Sequence, residues 1–570
     1  MAGGIYRERR YMWTFLGRFV LPLLLVGASL LDWSLISLTN LLIFLAIQLS
    51  GTTRGNFWRE FVLLWCTVLF SLIVIVAQVV FNILWCIEGN EWNFADSWWA
   101  KLVGLVRIQT LGSRSVIFFA VIQLSVALVA FVEVRGNSNG HDSCWSSFSS
   151  SVEQIGSQLR IACFLLLPAI QLVVGISHPS WISLPFFICS CIGLVDWSLK
   201  SNFLGFFRWW RPLLIFACFT ICLLYVYQLP IKQPSMVLII AEFFGLYKIS
   251  MKSELPEICS GLSLLLFFFM LSSVKRDLEE MNSIMSIEDN TLVQQLLPSR
   301  HSISFIESRY GMGNTDAILQ GQAFRIFSIN FFTYGFPVLL LALSLWSFNF
   351  VSICAFGLLA YVGYVLYAFP SLFKLHRLNG LLLVFILLWA VSTFVFNVAF
   401  TFLHKELKKD MVIWETIGLW HYPIPGLFLF AQFCLGVFVA ICNLVNNSVF
   451  VYLSNEEDRP VNDDTTAEAK EDTKVLFVAT LAWCLRKCSR AITLVLIFLQ
   501  AMRPGYIHAV YMCFFLFYLL GHSITRKIRK ALILFCGAHF SLLYLLQLDL
   551  ISRLLEQSGS FTISFLSQIV

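Results

Sequence analysis

Between Leu165 and Leu214 two long apolar runs are joined by nothing more than Ser177-His178-Pro179-Ser180-Trp181. The second run ends in the basic, aromatic segment Arg208-Trp209-Trp210-Arg211, and a third run follows. A helix needs about 20 apolar residues to cross a bilayer, and so short a polar turn makes two such helices an antiparallel hairpin. Looser copies of this hairpin recur along the chain. The pattern points to an all-α, polytopic membrane protein.

Composition agrees. The 570 residues are 58% hydrophobic and only 13% charged, against about a quarter charged in soluble domains. Mean hydropathy is +0.80. Arg7, Arg9 and Arg10 precede the first run, but that run continues into a second, which argues against a cleaved signal peptide. The net charge of +6 sits in loops and reports topology, not nucleic acid binding. The 16 Cys lie mostly inside apolar runs, and Cys189-x-Cys191 and Cys484-x-x-x-Cys488 lack paired zinc spacing. They read as small apolar residues.

Scanning for spans gives about fifteen. They are Met12–Leu31, Trp33–Leu49, Phe61–Ile87 and Ser115–Val134; Ile161–Ile176, Trp181–Leu194, Pro212–Tyr227 and Ile258–Val274; Ile326–Trp346, Phe348–Leu366, Leu381–Leu403 and Gly426–Val451; then Ala491–Met502, Tyr506–Leu520 and Lys530–Leu548. The division expected is a four-helix unit over residues 1–134, a cytosolic linker over 135–160 and a second unit over 161–274. A linker with an interfacial helix follows over 275–325, then a third unit over 326–451, an acidic linker with an interfacial helix over 452–490, and an incomplete fourth unit over 491–570.

The second helix of each unit opens on a related tetrapeptide: Leu35-Ile36-Ser37-Leu38, Trp181-Ile182-Ser183-Leu184, Phe350-Val351-Ser352-Ile353 and Tyr506-Ile507-His508-Ala509. These recur about 150 to 170 residues apart, the spacing of an internal repeat. Each unit places a basic residue before its third helix: Arg59, Arg211, Arg377 and Arg529. By the excess of Lys and Arg those loops are cytosolic, and the hairpin turns at Asp32, His178, Trp346-Ser347 and Arg503 face the other side. An even number of helices per unit makes the repeats parallel. An odd total leaves the C-terminus on the outer side, so a truncated product or a fragment of a longer protein is expected.

Segments too short to span precede the units: Ile5–Tyr11, Val152–Arg160, Ile318–Arg325 and Val475–Arg490. Trp92–Leu111 and Met411–Trp420 are similar and lie inside units. They read as interfacial helices or ordinary loop helices. Trp33, Trp181, Trp209, Trp210, Trp346, Trp414, Trp420 and Tyr506 fall at span boundaries, where aromatic rings anchor a helix at headgroup depth.

The spans are nearly free of ionisable groups, which enzymes and ion-coupled carriers need. Arg18 is read as a snorkelling side chain, Asp196 and Glu133 as helix-end groups, and Gln48, Gln78, Gln123 and Gln171 as amides bonding a neighbouring helix. His178 and His421 lie in interfacial turns, and no metal, phosphate or nucleophile motif is present. Asn446-Asn447-Ser448 is expected to stay unglycosylated near the cytosolic end of its helix, and Glu456-Glu457-Asp458 to be solvated. The chain is expected to be no enzyme, with no catalytic, cofactor, metal or pore residues.

GISHPSWISLPFFICSCIGLVDWSLKSNFLGFFRWWRPLL, CAFGLLAYVGYVLYAFPSLFKLHRLNGLLLVFILLWA, WETIGLWHYPIPGLFLFAQFCLGVFVAICNLVNNSVF and the opening LLDWSLISL resemble the N-terminal region of plant Piezo channels. The likeness covers nearly the whole chain. It implies a trimeric, mechanically gated, non-selective cation channel whose subunits carry an extended, curved blade of four-helix units with membrane-parallel helices between them. Family members are several times longer, with pore, cap and beam far C-terminal to anything here, so this chain would be outer blade alone. The resemblance implies the bilayer as partner, homotrimerisation through regions absent here, full-length channel subunits as further partners, and a plasma-membrane or vacuolar setting. Two other readings stay open: a secondary transporter, which would need inverted repeats and a midplane site, and a non-conducting scaffold or truncated paralogue.

Overall fold

The computed structural model describes residues 20–50, 57–88, 98–105, 120–131, 163, 166–200, 206–231, 234–249, 255–291, 335–368, 372–422, 424–456, 494–502, 506–520, 526–548, 550–551 and 553. Among these residues there are helices and no strand. Lipid offers backbone amides no water, so a spanning segment must satisfy them within itself. Hydroxyls in the spans follow the same rule. Thr67 bonds the carbonyl of Leu63 at 2.7 Å, Thr220 that of Phe216 at 2.8 Å, and Thr393 that of Trp389 at 3.0 Å.

The helices run in a recurring order. A hairpin of α1 (Leu21–Leu30) and α2 (Leu35–Ser50) leads to the long α3 (Phe57–Glu88), the short α4 (Trp98–Val103) and α5 (Ala120–Phe131). A second hairpin, α6 (Leu166–Ser177) and α7 (Leu184–Lys200), leads to α8 (Trp210–Gln228), the short α9 (Ser235–Phe244) and α10 (Leu255–Thr291). A third, α11 (Gly335–Asn349) and α12 (Ile353–Ala368), leads to α13 (Leu372–Phe402), the short pair α14 (His404–Lys409) and α15 (Met411–Ile417), and α16 (Pro425–Glu456). Then come α17 (494–501), α18 (Tyr506–Leu520) and α19 (Arg526–Leu546). Within these helices five stretches are long and apolar enough to cross a membrane: Phe61–Leu84, Trp210–Gln228, Leu255–Lys275, Leu375–Phe402 and Pro425–Asn446. The protein is an all-α polytopic membrane protein.

Three features depart from the sequence expectations. Helix α9 was not anticipated at all. Helix α10 runs on to Thr291, through the start of what the charge pattern marks as a linker, because Lys, Arg, Glu, Leu and Met all favour helix. Helices α3, α8, α13 and α19 start at Phe57, Trp210, Leu372 and Arg526, and so take in Arg59, Arg211, Arg377 and Arg529, which the sequence placed before them. The interfacial segments Ile5–Tyr11, Val152–Arg160, Ile318–Arg325 and Val475–Arg490 lie outside the described residues, as do Arg18, Glu133 and Arg503.

The chain forms two compact bodies. One comprises Met1–Trp197, Asn202–Arg300 and Ile424–Leu427; the other comprises Ser198–Ser201, His301–Pro423 and Phe428–Val570. In the first, α2 is central and packs against α1, α3, α4, α8 and α10. Phe44 meets Phe268 edge-on at 5.8 Å, and Phe186 meets Phe267 at 5.6 Å. Lipid tails are as apolar as Leu, so packing and interhelical hydrogen bonds hold such helices together. Gln171 supplies one bond, to the carbonyl of Phe186 at 3.3 Å, and Gln48 another, accepting from Ser272 at 2.8 Å. Gln123, also fully buried, has no partner among the described residues. In the second body α12 packs against α13, α15 and α19.

Candidate functional site: the hairpin joints

Each described hairpin turn ends in a serine that caps the helix after it. The Ser34 hydroxyl accepts from the amide of Ser37 at 3.3 Å, Ser180 from Ser183 at 3.2 Å, and Ser352 from Ala355 at 3.1 Å. In the second turn the bond is reciprocal, with the Ser180 amide donating to the Ser183 hydroxyl at 2.9 Å. A cap of this kind is worth about 1 kcal/mol. The caps also correct the register of the tetrapeptides. Ser352 is equivalent to Ser34 and Ser180, and Ala355 to Ser37 and Ser183.

A glycine from the short helix lies against each cap. Gly104, Gly245 and Gly418 have φ of +99°, +83° and +114°. They end α4, α9 and α15, and the following leucine closes the helix end: Leu105 donates to the Ala100 carbonyl, Leu246 to Ala241 and Leu419 to Trp414, at 2.8–2.9 Å. Left-handed backbone is one reason for glycine. The other is space. A Cβ on Gly104 would stand 2.5 Å from the Ser34 hydroxyl, one on Gly418 would stand 2.8 Å from that of Ser352, and one on Gly245 would collide with the Ser180 side chain.

The segment after the glycine is tied to the long helix by an amide. Gln228 donates to the Tyr247 carbonyl at 2.7 Å and accepts from the Ile249 amide at 2.9 Å. Asn397 donates to the Trp420 carbonyl at 3.2 Å, and its oxygen lies 3.2 Å from the His421 ring. Trp389 adds a bond to the Gly418 carbonyl at 2.8 Å. Short helix, hairpin and long helix thus meet at one point. Burial and nearby His404 lower the pKa of His421 from its usual range. Burial raises that of Asp32, in the first turn, against the hydrogen bonds of Trp33 and Ser34.

A tyrosine from the next group of helices completes the joint. The last carbonyls of a helix have no partner within it. The Tyr225 hydroxyl, from α8, lies 2.9 Å from the carbonyl of Ser29 in the last turn of α1 and 3.0 Å from that of Asp32. In the second body the Tyr544 hydroxyl, from α19, bonds the Ser347 carbonyl in the last turn of α11 at 3.0 Å and accepts from the Ser352 amide at 3.2 Å. Both tyrosines are buried, at 4% and 2% exposure. At the opposite end of α2 the buried Lys275 ammonium donates to the Leu49 carbonyl at 2.9 Å, where a cation also suits the helix dipole.

Most of the expected aromatic anchors stand in these joints. Trp33 packs on Tyr225 at 5.1 Å, Trp181 on Phe243 at 6.1 Å, Trp346 on Phe350 at 4.7 Å, Trp420 on Phe350 at 5.5 Å, and Trp414 on Phe396 at 5.7 Å. Trp209 is exposed, whereas Trp210 is buried and begins α8 with Arg211 over its ring at 5.3 Å. Arg377 is exposed on α13. Tyr506, Arg59 and Arg529 lie in helices, and their side chains are outside the described residues. Tyr225, Tyr544, Lys275 and the three glycines were not singled out by sequence. The dipeptide Gly-Leu at 104, 245 and 418 was the available signal.

Residues 477–570 match the family described as Piezo-type mechanosensitive ion channel homolog domain. Over 563 residues, 98% of the chain, the sequence is 53% identical to a Piezo-type mechanosensitive ion channel homolog of Arabidopsis thaliana, and it spans 22% of that relative's length. Over almost all of its length, then, this chain of apolar helices is similar to a part of a Piezo-type mechanosensitive ion channel homolog, and residues 477–570 match that family's domain.

Proposed function

We propose that the chain is the tension-sensing, lipid-facing blade of a Piezo-like, non-selective cation channel, with the pore in sequence beyond it. It would be built of parallel four-helix units over 1–134, 161–274 and 326–451, with a further unit begun at 491. One observation carries the reading. A joint of hairpin cap and short helix recurs at Ser34, Ser180 and Ser352, and at the first and third a tyrosine of the next group is bonded to the turn. Tension shifts an equilibrium only between states that differ in membrane area or shape, and a row of such joints lets each group move against the next. The anchors and the basic residues Arg59, Arg211, Arg377 and Arg529 would hold the groups at fixed depth. Partners are the bilayer and, through regions outside this sequence, two further channel subunits; the setting is a plasma or vacuolar membrane. The test is pressure-clamp recording of the full-length channel with and without residues 1–570. A large loss of tension sensitivity is expected, and an unchanged response overturns the reading.

A further inference from the structure

The second joint holds a cavity. Between α6, α7, α8 and α10 lies a small cavity lined by the hydroxyl-bearing Ser180, Ser183, Thr220, Tyr247 and Ser260 and by apolar residues such as Leu264. Tyr247 is 8% exposed, and its hydroxyl has no hydrogen-bond partner among the described residues. It faces Ser260 and Gly261 without reaching bonding geometry to either. A buried phenol left unpaired keeps its full desolvation penalty, so the site is incomplete as it stands. The equivalent position in the third joint is Trp420, whose ring packs on Trp389 at 6.4 Å.

The helix that lines one side of the cavity also has an apolar outer face. Helix α10 carries an exposed apolar stripe, Leu255, Ile258, Leu262 and Leu266, at 77%, 43%, 64% and 45% exposure. Gly261 lies between that stripe and the inward face of Ser260 and Leu264. A Cβ there would touch the Tyr247 hydroxyl at 3.4 Å, so a larger side chain would fill the space beside it. The lining side chains carry no lysine, arginine or carboxylate. His178, whose ring lies 5.2 Å from that of Tyr247, is its one basic group.

We propose that this cavity receives the neutral hydroxyl of a membrane lipid, bonded by Tyr247, with the apolar body lying along Ile258, Leu262 and Leu266. The absence of a fixed cation in the lining disfavours a phosphate head. A sterol and a diacylglycerol share the required chemistry, a single hydroxyl on an apolar body. The inference rests on the membrane setting of the chain and not on tension sensing, so its failure would leave the proposed function standing.

The test is photo-crosslinking in membranes of cells expressing the full chain, with a photoactivatable sterol and a photoactivatable diacylglycerol in parallel. Labelling of peptides from α9 and α10 by one probe is expected, and which probe labels identifies the source. Tyr247→Phe, which keeps the ring, should reduce that labelling about fivefold, the value of one hydrogen bond. Gly261→Leu, which fills the space beside the Tyr247 hydroxyl, should abolish it while surface labelling elsewhere persists. No site-specific labelling, or labelling indifferent to both variants, overturns the proposal, as does a higher-resolution structure with an ordered water alone on Tyr247.

Discussion

The hydroxyl of Tyr225 reaches across 196 positions of chain to the carbonyl of Ser29, 2.9 Å away. It is a bond from one group of helices to the turn of the group before, and Tyr544 makes its counterpart to Ser347. Tyr225→Phe keeps the ring on Trp33 and removes only the donor. The loss should be about 1–3 kcal/mol, the cost of a buried carbonyl left without its partner. Thermal unfolding in detergent should show a lower Tm, and hydrogen exchange should quicken at residues 29–34 more than elsewhere. An unchanged Tm would show that the bond contributes nothing to the joint.

Gly418→Ala meets two obstacles, a φ of +114° and a cap hydroxyl 2.8 Å from the new methyl. The backbone term alone costs about 1–2 kcal/mol. Pairing it with Ser352→Gly removes the hydroxyl clash and leaves the backbone strain and the Cys354 Cβ at 3.3 Å, so the double variant should recover only part of the loss. Limited proteolysis at the α15–α16 connection would measure both. Full recovery would mean that the backbone conformation is not strained.

Asp32 gives a pH dependence of definite sign. Its carboxyl is raised by burial, so the folded state prefers the protonated form. The stability this group contributes is complete below its unfolded pKa of about 3.9 and is lost as pH rises through the higher folded value. Asp32→Asn should therefore be more stable than the parent at pH 7, and the advantage should shrink on acidification. Tm measured from pH 4 to 8 tests this. A gap that widens toward acid would reverse the assignment.

The proposed parallel groups would put every hairpin turn on one face, so cysteines placed at Asp32, His178 and the exposed Asn349 should all be labelled by an impermeant maleimide from one side of the membrane. Labelling from alternating sides would require inverted groups.

Much of this was legible in sequence for a physical reason. A membrane span is a long uniform signal, so Pro212–Tyr227 anticipates α8 within two residues at its start. Short helices are a weaker signal. Trp92–Leu111 and Met411–Trp420 are marked by their tryptophans, while Ser235–Phe244, apolar and without tryptophan, carries no such mark. The repeat register slipped by three at Ser352 because the first two turns carry Ser-x-x-Ser and the third carries Ser-x-x-Ala. The tyrosine bonds were invisible in principle. Their acceptors are backbone carbonyls, which every residue possesses, so nothing at Ser29 or Ser347 marks them as the place where a tyrosine will land.

Helix α10 carries a mechanical consequence. At 37 residues it is about 55 Å long, whereas the hydrocarbon layer is about 30 Å thick. Roughly 25 Å of rod therefore stands clear of the lipid on one side. A lean of about 10° in its buried part swings the free tip by about 4 Å. A slight change of inclination inside the bilayer thus arrives in the aqueous phase as a displacement the size of a side chain.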